Sequence, residues 1–384
     1  MHTAYGSVAD ALSYYHFGEG VARFVSLDIK NNAGELLKLI FQQDARIPAT
    51  VYGVGSPTGT MTGIAALLVL TIGGAWPSTV AVSLFSYSGQ VAAYSAMRTH
   101  FGRAPIPIAV GMLLVPSVVF WTSSLQKETL AVAGLGWLVF ALVSFMQKRV
   151  FRGVVIGVMA AGLVALTKPY VLLPAAMAAG VWFYWRQAAG GTGPKIRPMW
   201  LVLAFVFTAV AIAALGSAFP QFAFERFADE AAARRHAGGL VGGGSYFEIG
   251  SVENTGFWSL MALAPMGLLS ALFRPSVFDV KNSLMAVNAF ETSLLTVLMV
   301  VTAVRFGFRG AGKKVAASPA LVFFFVFTVV FALAVGLTTT NLGTLSRYRV
   351  PMMPFFATLV AALAIGRQKR RVVVLRQERP PASA

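Results

Sequence analysis

The chain has 384 residues, 57% of them hydrophobic and only 12% charged, with a formal net charge of +17. A mean hydropathy of +0.71, with well under the roughly 25% charged residues of soluble domains, excludes an ordinary soluble protein and predicts an all-α, polytopic integral membrane protein. With no cysteine and 4 histidines, the chain has no disulfide framework and no thiolate metal site, and little is left for a histidine metal centre.

The first 75 residues carry "SVADALSYYHFGEGVARFV". Asp10 and Tyr14 stand at i, i+4 and so share one helical face, with His16 close by. Asp10 is a candidate general base beside rings that can hold a sugar; a solvated amphipathic helix is the plain alternative. The apolar run 59–74 is shorter than the roughly 20 residues a span needs, and predicts a helix lying at the membrane interface. Nine later runs predict spans at 76–97, 105–122, 128–146, 153–167, 170–186, 199–219, 284–304, 318–337 and 350–366. A second interfacial helix is expected at 257–273, where Pro265 interrupts the run.

Charge orients these spans, because short cytoplasmic loops are rich in Lys and Arg. The segments 98–103, 147–152, 186–197, 305–314 and the tail from Arg367 hold 18 of the 31 basic residues and only one acid, Glu378. The opposite side receives 12 of the 14 acids, leaving Glu291 within a span as a lining residue or ion-pair partner. The net charge is therefore mostly a topology signal, the tail facing anionic head groups, and nucleic acid is excluded as a partner. The layout is an outer segment 1–75, a core 76–219, an outer loop 220–283 with a glycine hinge, helices 284–366 and a basic tail 367–384. An outer segment of 75 residues with no span before it requires either a first helix upstream of this chain, which is the favoured expectation, or an N-terminus translocated by itself.

Three outward turns concentrate chemistry. "PSVVFWTSSLQKE" places Lys127 and Glu128 between apolar runs; Ser123 and Gln126 have capping-box spacing, and a helix start favours Glu128 in any case. "ALTKPYVLLP" leaves Lys168 as the one charge between two spans, before Pro169 and Tyr170. It is either a point charge for phosphate or a snorkelling lysine. "TTTNLGTLSRYRVPMMP" sets Arg347 and Arg349 about Tyr348 on the side where cations are least expected. Their anionic partner is a phosphate or an acid such as Asp229, Glu248 or Glu253.

The D-x-x-x-Y string, the short helix, the G-x-W-P turn at 74–77 and "PSVVFWTSSLQKE" together resemble bacterial GT-C glycosyltransferases, mainly over residues 1–185. Those integral membrane enzymes transfer a sugar from a polyprenyl-phosphate carrier outside the cytoplasmic membrane. The resemblance implies Asp10 as catalytic base and Glu128 as a second acidic site residue, where Asp is commoner in the family. It implies a lipid-phosphate partner for Lys168. The string "NLGTLSRYRVP" also looks like those of polysaccharide-assembly membrane proteins, polymerases among them.

The expectation is a GT-C-like glycosyltransferase of the bacterial inner membrane, C-terminus cytoplasmic, acting in cell-envelope or exopolysaccharide synthesis. Asp10 and Glu128 are the catalytic candidates; Tyr14, His16, Lys127, Lys168, Tyr170, Arg347, Tyr348 and Arg349 are the substrate-binding candidates. No metal site is assigned, although Asp10 with Glu128 could hold a divalent ion. The partners expected are a polyprenyl-phosphate-linked sugar, a glycan, lipid or protein acceptor, and membrane lipids. The alternatives are a polymerase or ligase of lipid-linked glycans, a lipid-linked glycan transporter, and a non-catalytic membrane partner.

Overall fold

A computed structural model describes residues 10–48, 53–101, 105–189, 246–247 and 261–364. The described residues form helices and no strand, with one isolated bridge between Tyr246 and Asn341. The expected span at 199–219, the glycine hinge, Asp229, Glu248, Glu253 and the tail lie outside these residues.

The helices are α1 (Asp10–Leu27), α2 (Ile29–Ile40), α3 (Pro57–Ile72), α4 (Ala75–Met97), α5 (Pro105–Leu113), α6 (Pro116–Thr122), α7 (Lys127–Met146), α8 (Val150–Thr167) and α9 (Leu172–Ala189). After the undescribed segment come α10 (Ala264–Phe273), α11 (Ser283–Ala316), α12 (Pro319–Thr338), α13 (Leu342–Tyr348) and α14 (Met353–Ala364). Four of them, α7, α8, α11 and α12, are long and apolar enough to cross a membrane, or five if the pair α3 and α4, bent by 113°, is one broken span. This is the composition of an all-α protein embedded in a membrane.

Several element boundaries follow from local chemistry. Ser56 caps α3 by accepting from the Thr58 N–H, and Pro57 follows at the first helical position, where its missing N–H costs nothing. The expected span 105–122 is two short helices, α5 and α6, because Pro116 cannot continue a helix begun before it and instead starts the next. α7 begins at Lys127 with Gln126 before it and no side-chain cap bond, so the Ser123–Gln126 spacing is not used as a capping box. α11 runs past the expected end of its span at 304, to Ala316, across a break at Gly307.

Glycine lets two helix pairs approach closely. Gly136 of α7 lies against the backbone of Gly89 in α4, and Gly336 of α12 against that of Gly267 in α10. Without a hydrophobic force between helices in lipid, such contacts supply the dispersion energy of packing. The main core gathers Phe323, Phe324 and Phe327 of α12 around Phe355 of α14, with Phe331 packed on Phe327. A smaller cluster, Tyr14, Met61, Ala65, Val82, Leu125 and Leu130, seats α1 on α3 and on the start of α7. That seat positions Asp10.

Candidate functional site

Three chain turns converge at one end of the bundle: the start of α7, the end of α8 and the end of α13. The first contributes Glu128, whose side chain is 0% exposed. A bare carboxylate there would be strongly disfavoured, and two cations answer it. Lys168 Nζ donates to Glu128 Oε1 at 2.7 Å. Arg347 Nε donates to the same oxygen at 2.7 Å, and its Nη2 to Oε2 at 3.2 Å. The third arm of the guanidinium, Nη1, donates to Asp10 Oδ2. Exposure rises along this chain of charges, from buried Lys168 and Glu128 through Arg347 at 20% to Asp10 at 46%. The network therefore opens to its surroundings at Asp10.

Aromatic rings line it. Lys168 stands over Tyr348 at 4.8 Å and Tyr170 at 5.6 Å, Lys127 over Tyr14 at 5.9 Å, and Arg347 over Trp121 at 5.9 Å. The negative faces of the rings favour cations. Lys127 Nζ donates to the Thr58 hydroxyl at 2.9 Å and has no carboxylate within ion-pair range among the described residues. With Asp10 and Glu128 against Lys127, Lys168 and Arg347, the cluster carries one excess positive charge.

The network holds these charges in place. Burial alone would lower the pKa of Lys168, but the Glu128 carboxylate outweighs it and holds the ammonium above its ordinary value. Burial likewise opposes the charge of Arg347, and Glu128 and Asp10 raise it on balance. Burial, then the negative charge of Asp10, pushes the Tyr14 phenol well above its ordinary value, so it remains a neutral hydrogen-bonding group. Arg347 already sits as a cation between the two carboxylates proposed for a divalent ion. Among the described residues no three acidic or histidine side chains gather as metal ligands.

No family model, curated protein or solved structure matches this chain.

The structure brings together Asp10, Tyr14, Lys127, Glu128, Lys168, Tyr170, Arg347 and Tyr348. It leaves out two of the expected residues. His16 is exposed on another face of α1, its ring 6.0 Å from Phe17. Arg349 is fully buried on the far side of α13, where Nη1 donates to Arg274 O at 2.6 Å and Nη2 to Thr292 Oγ1 at 2.8 Å. Two residues apart near the end of a short helix, the arginines serve different neighbours. Lys168 does not snorkel; its ammonium is buried against Glu128.

Glu291 is also buried, and it accepts from the Ser117 N–H and hydroxyl at 2.7 Å each, at the start of α6. It belongs to the interior beside Arg349, not to the cluster.

Sequence reasoning missed Thr58, Trp121 and Gln42. The Gln42 side chain donates to Leu166 O at 2.8 Å and Thr60 Oγ1 at 3.1 Å, tying the end of α2 to the end of α8, next to Lys168. Its backbone φ of 59° is uncommon for a residue with a side chain. Only Thr58 had a signal, the "S-P-T" helix start.

An apolar crevice of about 400 Å³ runs between α7, α8 and α9 to Phe323 of α12. Its walls include Leu138, Leu142, Gly157, Ala161 and Leu172, the last four positions beyond Lys168. Its volume is in the range of ligand pockets.

Proposed function

We propose that this protein is a membrane glycosyltransferase that uses a polyprenyl-phosphate-linked sugar at the outer face of the cytoplasmic membrane. On this reading the chain crosses the membrane about nine times, with residues 1–75, 220–283 and 338–349 outside and the C-terminus inside. Helices at the eight expected spans within the described residues support this topology, although some are short or broken.

The observation that carries the function is the Asp10–Arg347–Glu128–Lys168 network. An interior ion pair is seldom worth more to stability than apolar side chains of the same volume. Ionisable groups gathered at the end of a membrane bundle are in general explained by what they bind. The excess positive charge suits a phosphate, the aromatic rings suit a sugar, and the apolar crevice below Lys168 suits an isoprenoid chain.

The chemistry follows as a single displacement. The donor phosphate takes guanidinium and ammonium contacts from Arg347 and Lys127, and Asp10 is freed from Arg347 as it arrives. Asp10 then accepts the proton of an acceptor hydroxyl while that oxygen bonds to the anomeric carbon and the carbon–phosphate oxygen bond breaks. The cations stabilise charge growing on the departing polyprenyl phosphate. Glu128 does no proton transfer; buried and doubly paired, it holds Arg347 and Lys168 in place. A polymerase relying on Arg347 and Arg349 as a phosphate clamp is less well supported, because the two bind different parts of the fold.

The test is transfer from radiolabelled polyprenyl-phosphate-hexoses in reconstituted bilayers. Asp10→Asn and Arg347→Ala are expected to lose transfer by on the order of 100-fold or more. Full transfer by both variants would sink the reading.

A further inference from the structure

α11 contains 34 residues, about 51 Å at 1.5 Å per residue, against a hydrocarbon core of about 30 Å. It cannot continue straight and stay in lipid. At Gly307 the backbone leaves helical geometry, with φ 63° and ψ 164°, a left-handed value that glycine adopts without a Cβ clash. Beyond it, residues 308–316 form a separate arm.

The arm has one exposed face. Phe308, Arg309, Gly312, Lys313 and Ala316 are exposed, at the i, i+1, i+4, i+5, i+8 spacing of a single helical stripe. Val304 and Arg305, on the turn before the break, are exposed too, and Val304 and Phe308 reach 80% and 88% exposure. The other side is fastened. Lys314 Nζ donates to Leu363 O at 3.0 Å and covers the Phe306 ring, and Ala316 O accepts from Trp185 Nε1 at 2.7 Å.

Charge identifies what meets the exposed stripe. The sequence has no Asp or Glu between Glu291 and Glu378. Among the described residues Arg305, Arg309 and Lys313 have no carboxylate partner. The same end of the bundle carries Arg186, whose Nη1 donates to Met146 O at the end of α7. A soluble anion would leave Phe308 and Val304 unexplained, and lipid tails would leave the cations unexplained. An anionic bilayer surface satisfies both, since its head groups face cations and its acyl boundary takes the apolar side chains.

We propose that residues 304–316 bind anionic phospholipid head groups through Arg305, Arg309 and Lys313, with Val304 and Phe308 inserted beside them and the arm 308–316 lying in the membrane plane. The arm anchors the end of α11 and fixes the depth at which the following span, α12, begins. The inference stands without any catalytic activity.

Because the chain has no cysteine, Gly312→Cys can carry a single environment-sensitive fluorophore on the full chain, reconstituted in phosphatidylcholine nanodiscs. Titration with phosphatidylglycerol is expected to shift the emission to the blue. In Arg305→Gln/Arg309→Gln/Lys313→Gln the blue shift should be absent up to a pure phosphatidylglycerol bilayer, since the binding constant falls about five-fold per cation lost. Phe308→Ser should weaken the shift with the cations intact, and melting temperatures in phosphatidylcholine should stay unchanged because these side chains are exposed. An identical titration for the triple variant, or the same emission in phosphatidylglycerol as in phosphatidylcholine nanodiscs, would overturn the proposal. So would the same blue shift with inorganic phosphate alone, which would make the stripe a site for free anions.

Discussion

Arg347 and Glu128 stand 219 positions apart in the chain and meet through two hydrogen bonds, Nε to Oε1 and Nη2 to Oε2. This two-point contact fixes the plane of the guanidinium, which a single lysine ammonium could not do. It turns the remaining arm of Arg347 toward Asp10. One contact thus joins α13 near the C-terminal end of the described chain to the start of α7 and to α1.

Glu128→Leu leaves Lys168 and Arg347 without their buried counter-charge. The expected loss is about 3–5 kcal/mol of stability, the usual penalty for breaking an interior pair from one side. Replacing the whole group, as Glu128→Leu with Lys168→Met and Arg347→Met, is expected to recover most of that loss because no buried charge remains. The triple variant should nevertheless be inactive. Thermal melting in one detergent checks the order, and a triple variant as unstable as Glu128→Leu would remove the ionic explanation of the cluster.

Lys168 gives the cluster an alkaline limit. Its folded pKa is raised by Glu128, so the folded state binds this proton more tightly than the unfolded state. The stabilisation is complete below the unfolded value of about 10.4 and is lost as pH rises through the higher folded value. Melting temperature should therefore fall more steeply above about pH 10.4 in the native protein than in Lys168→Met. Parallel alkaline profiles for the two would contradict the assignment.

The sequence was most legible where the physics is one-dimensional. Apolar runs place α4, α7, α8, α12 and the start of α11 within a few residues, because lipid leaves the backbone no partner but its own helix. Asp10, Glu128, Lys168 and Arg347 were legible as charges in costly places. Their mutual pairing was not, since nothing local to "SRYR" says that Arg347 faces α7 while Arg349 faces α10 and α11. The helical break at Gly307 was hidden for a related reason: "RFGFRGAGKK" carries loop-like charge and glycine, yet Phe306, Lys314 and Trp185 hold it as a folded arm.

Close packing of α4 on α7 makes a separate prediction. A Cβ at Gly136 would overlap the carbonyl of Gly89, and backbone cannot swing aside as a flexible side chain can. Gly136→Val is expected to cost about 1–3 kcal/mol or more through overpacking. Gly162→Ala, on α8 with no atom near the added methyl, should be neutral or slightly stabilising. Equal melting temperatures for the two variants would remove the helix approach as a determinant of this fold.

The two arginines of "SRYR" should fail in opposite ways. Arg349 is buried, and its guanidinium bonds Arg274 O and Thr292 Oγ1, closing off polar groups of α11 and of the chain just after α10. Arg349→Met leaves those acceptors without this donor and should lower stability by about 2–6 kcal/mol, about one to three for each of the two buried groups. Where Arg349→Met folds at reduced temperature, its KM for a polyprenyl-phosphate sugar should be close to native. Arg347→Met also loses stability, by leaving Glu128 with Lys168 alone, but its transfer should collapse at every temperature where it is folded. Parallel measurement of melting and transfer separates the roles. A stable, inactive Arg349→Met would return Arg349 to the site and overturn the division of labour drawn from the geometry.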